Sequence, residues 1–462
     1  MVVKLCSSGV SYKLLACTMW RPVLFLLAAA LATGSSSKAN QRGELWAVLV
    51  AGSSSWMNYR HQADVCHAYQ ILHQHGVPDD HIIVMMFDDI AHNEDNPTKG
   101  VIINRPGGPN VYEGVPKDYT GDDVTPENFL KVLSGDAEGM KGVGSGKVVR
   151  SGPNDRIFLN MVDHGAPGIF AFPNDYLNAT NLTDTILGMH RDGKFGEMVM
   201  YVESCESGSL FYNLLPKDIM VYALSASSPN QHSYACYLDT ERDTYLGDVF
   251  SVKWMEDTDR ENLHQETLKK QFKLVRKEVT TSTVMHWGEI RLDRQHLSKF
   301  MGKRQASRSQ QDVYLPIRGE EDPCLESAVA SPDVPVAILK SRIRRAKEVA
   351  EVDALKEELR HLRMNRVIVK VAMTRIIGHV AGGAPRMASL LVANGNHTIT
   401  RWPCYTASVR AFHDHCFNLA KNPYALRVLK PVISMCEHGY TAEDFTRAAK
   451  LLCTHGPASG IV

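Results

Sequence analysis

The chain has 462 residues, of which 44% are hydrophobic and 22% are charged, and its 51 Lys and Arg balance its 51 Asp and Glu. This composition is typical of a globular protein of two or three domains, and it excludes a mainly disordered, collagenous or coiled-coil chain. A formal net charge of zero also means that the chain has no overall excess of basic residues, as a nucleic-acid-binding protein usually has.

The N-terminal segment has the pattern of a secretory signal. Residues 22–32 form the only long apolar run in the sequence, and Arg21 precedes them. The run is shorter than the ~20 residues of a membrane span, and it ends in Ala-Leu-Ala, which is typical of a signal-peptide cleavage site. We therefore predict a signal peptide over residues 1–32, with Met19 as an alternative start. A membrane anchor is the competing interpretation.

Five short apolar runs predict the strands of one sheet. Helical stretches such as residues 60–75 separate them. This alternation is typical of a doubly wound, mostly parallel α/β sheet flanked by helices, in which ligands bind beyond the carboxyl ends of the strands. The predicted strands are 45–51, 81–87, 156–162, 197–202 and 219–224.

The character of the chain changes after the predicted α/β domain, which we place at residues 44–301. Residues 302–336 are polar, contain four prolines and are typical of a linker. Residues 337–462 show helical periodicity with many charges and predict an all-helical C-terminal domain. Within the α/β domain, residues 93–123 are rich in Gly, Pro, Asn and Asp and predict a long surface loop.

The net charge of zero is the sum of three unequal parts. Residues 1–43 carry +5, residues 44–340 carry −14 and residues 341–462 carry +9. Opposite charges on the two large parts predict an attraction between them near neutral pH. The competing interpretation is that the charges serve solubility alone.

Cysteines and sequons agree with a secreted chain. Glycosylation sequons begin at Asn178, Asn181 and Asn396. Four cysteines in the last 60 residues predict two disulfides, with three possible pairings. These four are Cys404, Cys416, Cys436 and Cys453.

Two familiar motifs are incomplete. Residues 142–147 are similar to a phosphate-binding loop, but Lys141 stands where that pattern needs glycine and Val148 where it needs Ser or Thr. The sequence contains no C-x-x-C, and His73 and His75 would not face each other on a helix. We therefore predict neither a phosphate loop nor a metal site.

A histidine and a cysteine each follow a predicted strand. His164 lies between Asp163 and Gly165 after one strand, and Cys205 lies in the polar turn after another. A thiolate nucleophile needs a neighbouring base or imidazolium, and glycine-containing turns can bring backbone N–H groups towards an oxyanion. The pair therefore predicts cysteine-nucleophile catalysis, with a structural role for each residue as the alternative.

Around these residues the sequence resembles the legumain family of asparaginyl endopeptidases, which are distant relatives of the caspases. The resemblance extends over residues 44–300, and the C-terminal cysteines, spaced by 12, 20 and 17 residues, are similar to those of the family's prodomain. It implies a caspase-like fold for the catalytic domain. Matching blocks include Asn58-Tyr-Arg-His-Gln-Ala-Asp64, Gly114-Val-Pro-Lys-Asp-Tyr-Thr-Gly121, Glu203-Ser-Cys-Glu-Ser-Gly-Ser209 and Tyr245-Leu-Gly-Asp248.

The resemblance implies roles for four residues at the reaction centre. Cys205 would be the nucleophile, His164 the general acid and base, and Asn58 the support of the imidazole. The backbone N–H groups of Gly165 and Cys205 would bind the oxyanion. The resemblance implies no cofactor and no metal.

The family's selectivity pocket falls on Arg60, His61, Glu203 and Asp248. An asparagine side chain offers one carbonyl acceptor and two N–H donors, which Arg60 and the two carboxylates can satisfy. An ionised aspartate would be repelled, whereas a protonated aspartate resembles asparagine, so cleavage after Asp is expected only at acid pH. A surface ion network is the alternative interpretation of these charges.

The resemblance makes the C-terminal domain the inhibitor of a zymogen, and it implies the disulfides Cys404–Cys436 and Cys416–Cys453. The charge difference supplies an attraction for such an inhibitor, and acid weakens it as carboxylates become protonated. Cys324 has no partner in this scheme.

The sequence departs from the family pattern in two places. Val162 precedes Asp163 where relatives often carry Ser or Thr. No asparagine occurs between Asn262 and Asn365, so activation cannot proceed by cleavage after Asn in the linker. Aspartates would have to serve instead, and the candidates are Asp312, Asp322, Asp333 and Asp353.

We predict a cysteine endopeptidase that cleaves after Asn, and after Asp at acid pH, and that is made as a zymogen activated at acid pH by C-terminal processing. The predicted partners are protein and peptide substrates, the chain's own C-terminal domain and cystatin-type inhibitors, without nucleic acid or stable membrane insertion. The predicted destination is a lysosome, endosome or vacuole, or secretion. The alternatives are a peptide ligase with the same acyl-enzyme and a catalytically weak, protease-like binding protein.

Overall fold

The computed structural model describes residues 43–304, 322–391, 398–454, 458 and 460. The predicted signal peptide, Asp312 and Asn396 lie outside these residues. Among the helices that the structure describes, none has both the length and the apolar character needed to cross a bilayer.

A six-stranded sheet forms the centre of the fold, with two three-stranded sheets beside it. The strands are β1 Leu45–Ala51, β2 Ile82–Met86, β3 Arg156–Val162, β4 Gly165–Ala166, β5 Ile169–Ala171, β6 Tyr176–Asn178, β7 Glu197–Glu203, β8 Val221–Ser225, β9 Tyr234–Asp239, β10 Thr244–Asp248, β11 Met285–Gly288 and β12 Val329–Ala330. The central order is β11-β8-β7-β3-β1-β2, and the small sheets are β10-β9-β12 and β4-β5-β6.

The central sheet is parallel except at one edge. Strands β8, β7, β3, β1 and β2 pair in parallel, whereas β11 runs antiparallel to β8. Successive residues of β1 enter different apolar cores, with Leu49 on one face and Val48 and Val50 on the other. Because both faces are covered, the strands are continuously apolar instead of alternating. The predicted α/β sheet is therefore confirmed.

Helices cover the sheet and form the C-terminal part of the chain. Those up to residue 304 are α1 Tyr59–Gln74, α2 Pro126–Ser134, α3 Ala179–Arg191, α4 Val249–Arg260, α5 Leu268–Glu278 and α6 Ser298–Met301. Those after it are α7 Pro323–Glu326, α8 Val334–Arg345, α9 Val349–Ala381, α10 Ala384–Leu391, α11 Trp402–His415, α12 Lys430–Glu437 and α13 Ala442–Leu452. The helical C-terminal region is confirmed, and a short break at residues 346–348 divides its long charged pattern into α8 and α9.

Three disulfides join described residues. Cys404–Cys436 and Cys416–Cys453, the pairings that the resemblance implied, are both present. The prediction that Cys324 has no partner is wrong, because it is bonded to Cys236 on β9, 88 residues earlier in the chain. The described part of the predicted linker, residues 322–336, is folded: it contains α7, β12 and the start of α8.

Candidate active site

The ends of two adjacent strands bring the predicted histidine and cysteine together. In the register between β3 and β7, Val162 pairs with Glu203, so the segments that carry His164 and Cys205 leave the sheet side by side. Asp163 N–H continues the pairing and donates to the carbonyl of Glu203 at 3.0 Å. Parallel pairing therefore places both side chains at the carboxyl edge of the sheet, where sites of such folds form.

Gly165 allows a close approach of the two turns. A Cβ atom at this position would lie 2.3 Å from the carbonyl oxygen of Cys205 and 2.8 Å from Ser204 Oγ. Any larger residue would push the His164 turn away from the Cys205 turn. Glycine is therefore required here for packing, independently of any role for its N–H group.

A hydrogen bond fixes the imidazole of His164. Its Nε2 lies 2.8 Å from Asn58 Oδ1. Asn58 Nδ2 donates to the carbonyl of Ser54 at 2.9 Å, which orients the amide with its oxygen towards the ring. Nε2 therefore carries the hydrogen, and Nδ1 of the neutral ring is left as the basic nitrogen.

Both reactive groups are uncharged in this state of the protein. Cys205 is 2% exposed and His164 is 8% exposed. Burial, and to a smaller extent the Glu206 carboxylate, raises the pKa of the Cys205 thiol far above its usual value. Burial, with a smaller contribution from Arg60, lowers the pKa of His164 to about 3. Since a cysteine nucleophile reacts as the thiolate, burial of Cys205 disfavours the reactive form.

Arg60 lies at the centre of the predicted selectivity pocket and is fully buried. Its Nε donates to Asp248 Oδ1 at 3.0 Å, and its Nη1 donates to the carbonyl of Met57 at 3.1 Å. Its Nη2 donates to the hydroxyl of Ser331 at 2.7 Å. The guanidinium therefore directs one N–H group to a side chain that comes from the predicted linker.

Two carboxylates beside Arg60 each have a free acceptor. Glu203 Oε1 and Asp248 Oδ2 are buried and have no hydrogen-bond partner among the described residues. The other oxygens accept bonds, from Ser251 N at 2.9 Å to Glu203 and from Arg60 to Asp248. Burial raises the pKa of both groups, and Asp248 raises that of Glu203 further. Unpaired buried acceptors are costly, so the pair is suited to a ligand that donates N–H groups.

His61 joins the pocket to the His164 turn. Its Nδ1 lies 2.6 Å from Ser53 Oγ and 3.4 Å from Asp163 Oδ1, and its Nε2 lies 3.6 Å from Asp248 Oδ2. Burial, followed by the Arg60 charge, lowers its pKa well below the usual value. His61 is therefore neutral, hydrogen-bonds to Ser53 and lies between the buried carboxyl groups of Asp163 and Asp248.

Residues from beyond position 322 cover the pocket. A cavity of only about 10 Å³ remains, and its walls include Arg60, His164 and Asn58 from the sheet domain. The covering residues are Ser331, Pro332, Val334, Pro335, Pro423 and Tyr424. A larger cleft of about 570 Å³ lies on the other side of His164, between Phe172 and Lys421.

The C-terminal tail (residues 337–462) contacts the sheet domain through ion pairs of consistent sign. Arg410 lies 2.9 Å from Asp175, Lys430 lies 3.5 Å from Glu206, and Arg345 pairs with Asp243. Each pair places the acid on the sheet domain and the base on the tail. The contacts agree with the charge difference found in the sequence.

Apolar packing also holds the tail. Ala166, Ile169, Ala171 and Tyr176 of the β4-β5-β6 sheet belong to the same buried cluster as the tail helices. At the β4–β5 turn, a Cβ atom on Gly168 would lie 2.6 Å from the Trp402 ring, so only glycine permits this contact. The apolar part of the interface does not depend on pH, in contrast to the ion pairs.

Two clusters of metal-ligating side chains lie at the site, but neither has a free, matched donor set. Cys205, Glu206 and His232 have ligand atoms within 4.8 Å of one another. The Lys430 ammonium lies 3.5 Å from the same Glu206 carboxylate, and it opposes a cation there. The second cluster is formed by His61, Asp163 and His164, whose rings already hydrogen-bond to Ser53 and Asn58.

Sequence reasoning missed three residues at this site. Ser233 Oγ lies 3.8 Å from the Cys205 sulfur, Ser331 binds Arg60, and Lys430 faces Glu206. Serines and lysines carry no distinctive spacing, so only the folded chain identifies them. The eight residues predicted for the site do lie together: Cys205, His164, Asn58, Gly165, Arg60, His61, Glu203 and Asp248.

Two of the three sequon asparagines lie in the described part of the chain. Asn178 is half-buried directly before α3, and Asn181 is exposed on α3.

Comparisons with known proteins cover both parts of the chain. The peptidase C13 family matches residues 45–303, and the legumain prodomain matches residues 355–453. Legumain of Bos taurus is 47% identical over 419 residues, or 90% of this chain and 94% of its own length. The vacuolar-processing enzyme delta-isozyme of Arabidopsis thaliana is 36% identical over 437 residues, with 91% and 92% covered. A solved structure of caspase-1 from Spodoptera frugiperda is similar with a TM-score of 0.34 and 11% identity, over 58% of this chain and 92% of that one.

Proposed function

The chain belongs to the peptidase C13 family, and from this premise we propose that it cleaves peptide bonds after asparagine, and after protonated aspartate, once acid has released its tail. That it is a cysteine-type hydrolase made with an inhibitory prodomain follows from the family itself. The residue specificity, the acid activation and the roles of individual side chains are our proposal.

One observation carries the specificity: a buried guanidinium faces two free carboxylate acceptors. Arg60 can donate to the carbonyl oxygen of an asparagine side chain, while Glu203 Oε1 and Asp248 Oδ2 accept from its amide group. An apolar side chain would leave all these groups buried and unpaired. Selection by unpaired polar groups discriminates strongly between substrates of the same size.

The reaction centre supports a two-step mechanism. His164 takes the thiol proton of Cys205, and the sulfur attacks the carbonyl carbon while the N–H groups of Gly165 and Cys205 stabilise the oxyanion. The C–N bond breaks, His164 gives its proton to the leaving amine, and a thioester remains. Water then attacks the thioester, loses a proton to His164 and releases the acid, and the proton returns to Cys205. An amine in place of water would give peptide ligation.

Exposure of the site is what activates this pair. Burial is the largest cause of both pKa shifts, and it disfavours the thiolate and the imidazolium alike. Removal of the tail and of Ser331 would expose the site to water. The burial that raises the pKa of Cys205 and lowers the pKa of His164 would then be lost. The proposal therefore needs no rearrangement of the sheet for activation.

Candidate cleavage sites differ in their surroundings. The Asp322 carboxylate caps α7 and pairs with Lys253 at 2.7 Å. Asp333 pairs with Arg366 at 3.0 Å and with Arg427 at 3.2 Å. Asp353 is exposed on α9. Because it pairs with two tail arginines, Asp333 is the candidate best connected to the tail.

Buried carboxyl groups adapt the sheet domain to acid. Burial raises the pKa of Asp257 on α4 from 3.8 to about 7. Because the folded pKa exceeds the unfolded one, the stability from this group is complete below pH 3.8 and is lost as the pH rises through 7. Asparagine has the shape of protonated aspartate and carries no charge at any pH in this range. We therefore expect the free energy of unfolding of Asp257→Asn to fall less steeply with pH than that of its parent, by up to about 1.4 kcal/mol per pH unit.

Urea unfolding across that pH range measures the effect, with Cys205→Ser as the background so that no chain is processed. The amide oxygen of the Asp257→Asn variant can keep the hydrogen bond that Gln271 donates to Asp257 at 3.0 Å. Equal pH slopes for Asp257→Asn and its parent would contradict the assignment.

The ion pairs bias tail release without controlling it alone. Arg410 and Asp175 are each about 40% exposed, and such pairs contribute ~0.2–1 kcal/mol. We expect Arg410→Gln to increase the fraction of cleaved tail that dissociates at low salt by roughly 1.4- to 5-fold, measured by gel filtration. Arg447→Gln, which removes an exposed charge that pairs with Asp444 inside the tail, is the matched control. Equal retention in the two variants would show that the Arg410–Asp175 pair does not help to hold the tail.

The cellular compartment follows from the same chemistry. Relatives include vacuolar-processing enzymes, and an acid-adapted enzyme fits a lysosome or vacuole. The substrates we propose are protein and peptide chains with accessible asparagine. Binding of cystatin-type inhibitors and glycosylation at Asn178 and Asn181 stay predictions.

A direct assay tests the function. The full chain is held at about pH 4.5, where carboxyl groups titrate, and is then given peptides that differ only in Asn, Asp or Gln at one position. We expect cleavage after Asn, weaker cleavage after Asp that declines as the pH rises, and none after Gln. Equal cleavage of the Asn and Gln peptides would contradict the pocket, and ligated products in the same reaction would measure the ligase alternative.

A further inference from the structure

A disulfide connects the predicted linker to the sheet domain. Cys324 on α7 is bonded to Cys236 on β9, and both residues are fully buried. The other two disulfides join tail residues to tail residues, so they leave with the tail. Of the three disulfides between described residues, Cys236–Cys324 is the one that joins the linker to the sheet domain.

Cys324 belongs to what we call the anchored segment, residues 322–331. Asp322 pairs with Lys253, and Ser327 Oγ accepts from the backbone N–H of Tyr237 at 2.8 Å. Strand β12, Val329–Ala330, then adds to β9 in antiparallel register. The segment is therefore held along its length, and the disulfide is one of several attachments.

The anchored segment ends in the selectivity pocket. Ser331 N–H donates to the carbonyl of Ser233 at 2.9 Å, and its hydroxyl accepts from Arg60. Ser233 lies beside the Cys205 sulfur. An extended segment that adds to a strand and places a side chain in a polar pocket follows the general mode of peptide recognition by strand addition. The segment therefore occupies the surface that a substrate needs.

We propose that cleavage of the linker does not free this surface, because Cys236–Cys324 retains the anchored segment as a tethered inhibitor until a thiol reductant opens the bond. This tether proposal rests on the proposed function only where its test measures enzyme activity. Cuts on both sides of the segment, between residues 304 and 322 and after Asp333, would separate the tail. They would leave residues 322–333 attached to β9 through sulfur.

Tethering makes even a weak inhibitor effective. A short flexible linker holds its ligand at an effective concentration on the order of 1 mM. A free peptide with a dissociation constant of about 0.1 mM would be lost on dilution, but the tethered one would occupy about nine sites in ten at that concentration. We therefore expect roughly a tenfold rise in activity when the tether opens.

The opening step is a two-electron thiol–disulfide exchange. One thiolate of a small dithiol attacks a sulfur of the disulfide, the other cysteine leaves as a thiolate and takes a proton, and the second thiol of the reductant closes its ring. Two electrons and two protons pass to Cys236 and Cys324, and the reductant is oxidised to a cyclic disulfide. Because both sulfurs are buried, α7 must move aside first, so reduction should be faster after the linker is cut.

Mass spectrometry under non-reducing conditions tests the attachment. The full chain is cut by limited trypsin digestion, for which Arg318 and Lys340 flank the segment, and the tail is removed by gel filtration. We expect a fragment that contains Cys324 to stay with the sheet domain until dithiothreitol is added. Loss of this fragment without reductant would overturn the proposal, and this readout does not depend on enzyme activity.

Activity and peptide binding test the inhibition. We expect dithiothreitol to raise hydrolysis by the processed wild type about tenfold. In Cys324→Ser and in Cys236→Ser it should add little. Cys66→Ser is the matched control, because Cys66 is a buried free cysteine and its variant should keep the wild-type response. Each sample is normalised to the fraction of chains with an unoxidised Cys205, determined by mass spectrometry after denaturation, so that oxidation of the nucleophile does not enter the ratio.

Binding of a fluorescent Asn-containing peptide to processed Cys205→Ser protein separates the two proposals. A rise in binding on reduction without hydrolysis by the wild type would uphold the tether and reject the proposed activity. Equal binding, or an equal reductant response in wild type and Cys324→Ser, would reject the tethered inhibitor.

Discussion

Replacing Cys205 with serine should lower hydrolysis of an Asn-containing peptide by roughly 10⁴- to 10⁶-fold. The thiolate is the reactive form, and a serine hydroxyl has no comparable anion at acid pH. Serine is close to cysteine in shape, and the Cys205 side chain is 2% exposed, so the fold should accept it. The tail should stay bound and the linker uncut, because self-processing would stop as well.

Initial rates on Asn peptides at about pH 4.5, after tail removal by an added protease, measure this effect. Cys66→Ser is the matched control, because Cys66 is also buried, its sulfur contacts Met86 and it lies on α1 away from the reaction centre. Residual activity of Cys205→Ser within tenfold of the control would assign the chemistry to another group.

Changing Asp248 to asparagine should reduce cleavage after Asn by about 30- to 1000-fold, which corresponds to ~2–4 kcal/mol of lost transition-state binding. The amide oxygen of the variant side chain can keep the bond from Arg60 Nε, which Asp248 Oδ1 accepts at 3.0 Å. The atom that replaces Oδ2 would be an N–H donor facing the N–H donors of the substrate. Cleavage after Asp should fall less, because one repelling carboxylate disappears.

Ratios of kcat/KM for paired Asn and Asp peptides report this change in specificity. Asp257→Asn is the matched control, because it is the same substitution on α4 and does not contact Arg60. Thermal melting of both variants separates pocket effects from folding. If Asp248→Asn kept the wild-type preference for Asn over Asp, Asp248 would not be an acceptor for the substrate amide.

The sequence was sufficient for the five parallel strands of the central sheet because each of them is a mainly apolar run. It missed β11, Met285–Gly288, which has four residues and lies at the antiparallel edge with most positions half-buried. It also missed β12, whose two residues form a strand through pairing with β9. Short strands are specified by their partners, and local sequence carries little of that information.

The features of the candidate site also fall into those that the sequence predicted and those that it could not predict. Cys205, His164 and Gly165 follow strands, so their convergence could be inferred from the edge at which parallel strands end. The free oxygens of Glu203 and Asp248 could not be inferred, since they depend on which acceptors the neighbouring elements satisfy. The Cys236–Cys324 bond joins residues that are 88 positions apart, and the disulfide scheme that the family resemblance implied gave Cys324 no partner.

The sequence by itself determined the α/β sheet, the helical tail, the placement of His164 and Cys205 after two strands and the opposite charges of the two parts, because strand periodicity, motif order and charge are local or additive properties. Only the tertiary structure decided which residues surround Cys205 and His164, the position of Ser331 against Arg60 and the anchoring of residues 322–331. These depend on burial and on contacts between distant residues, and a zero net charge contains no information about either. In the folded chain, acids on the sheet domain face bases on the tail across one interface, and the +5 of residues 1–43 completes the zero.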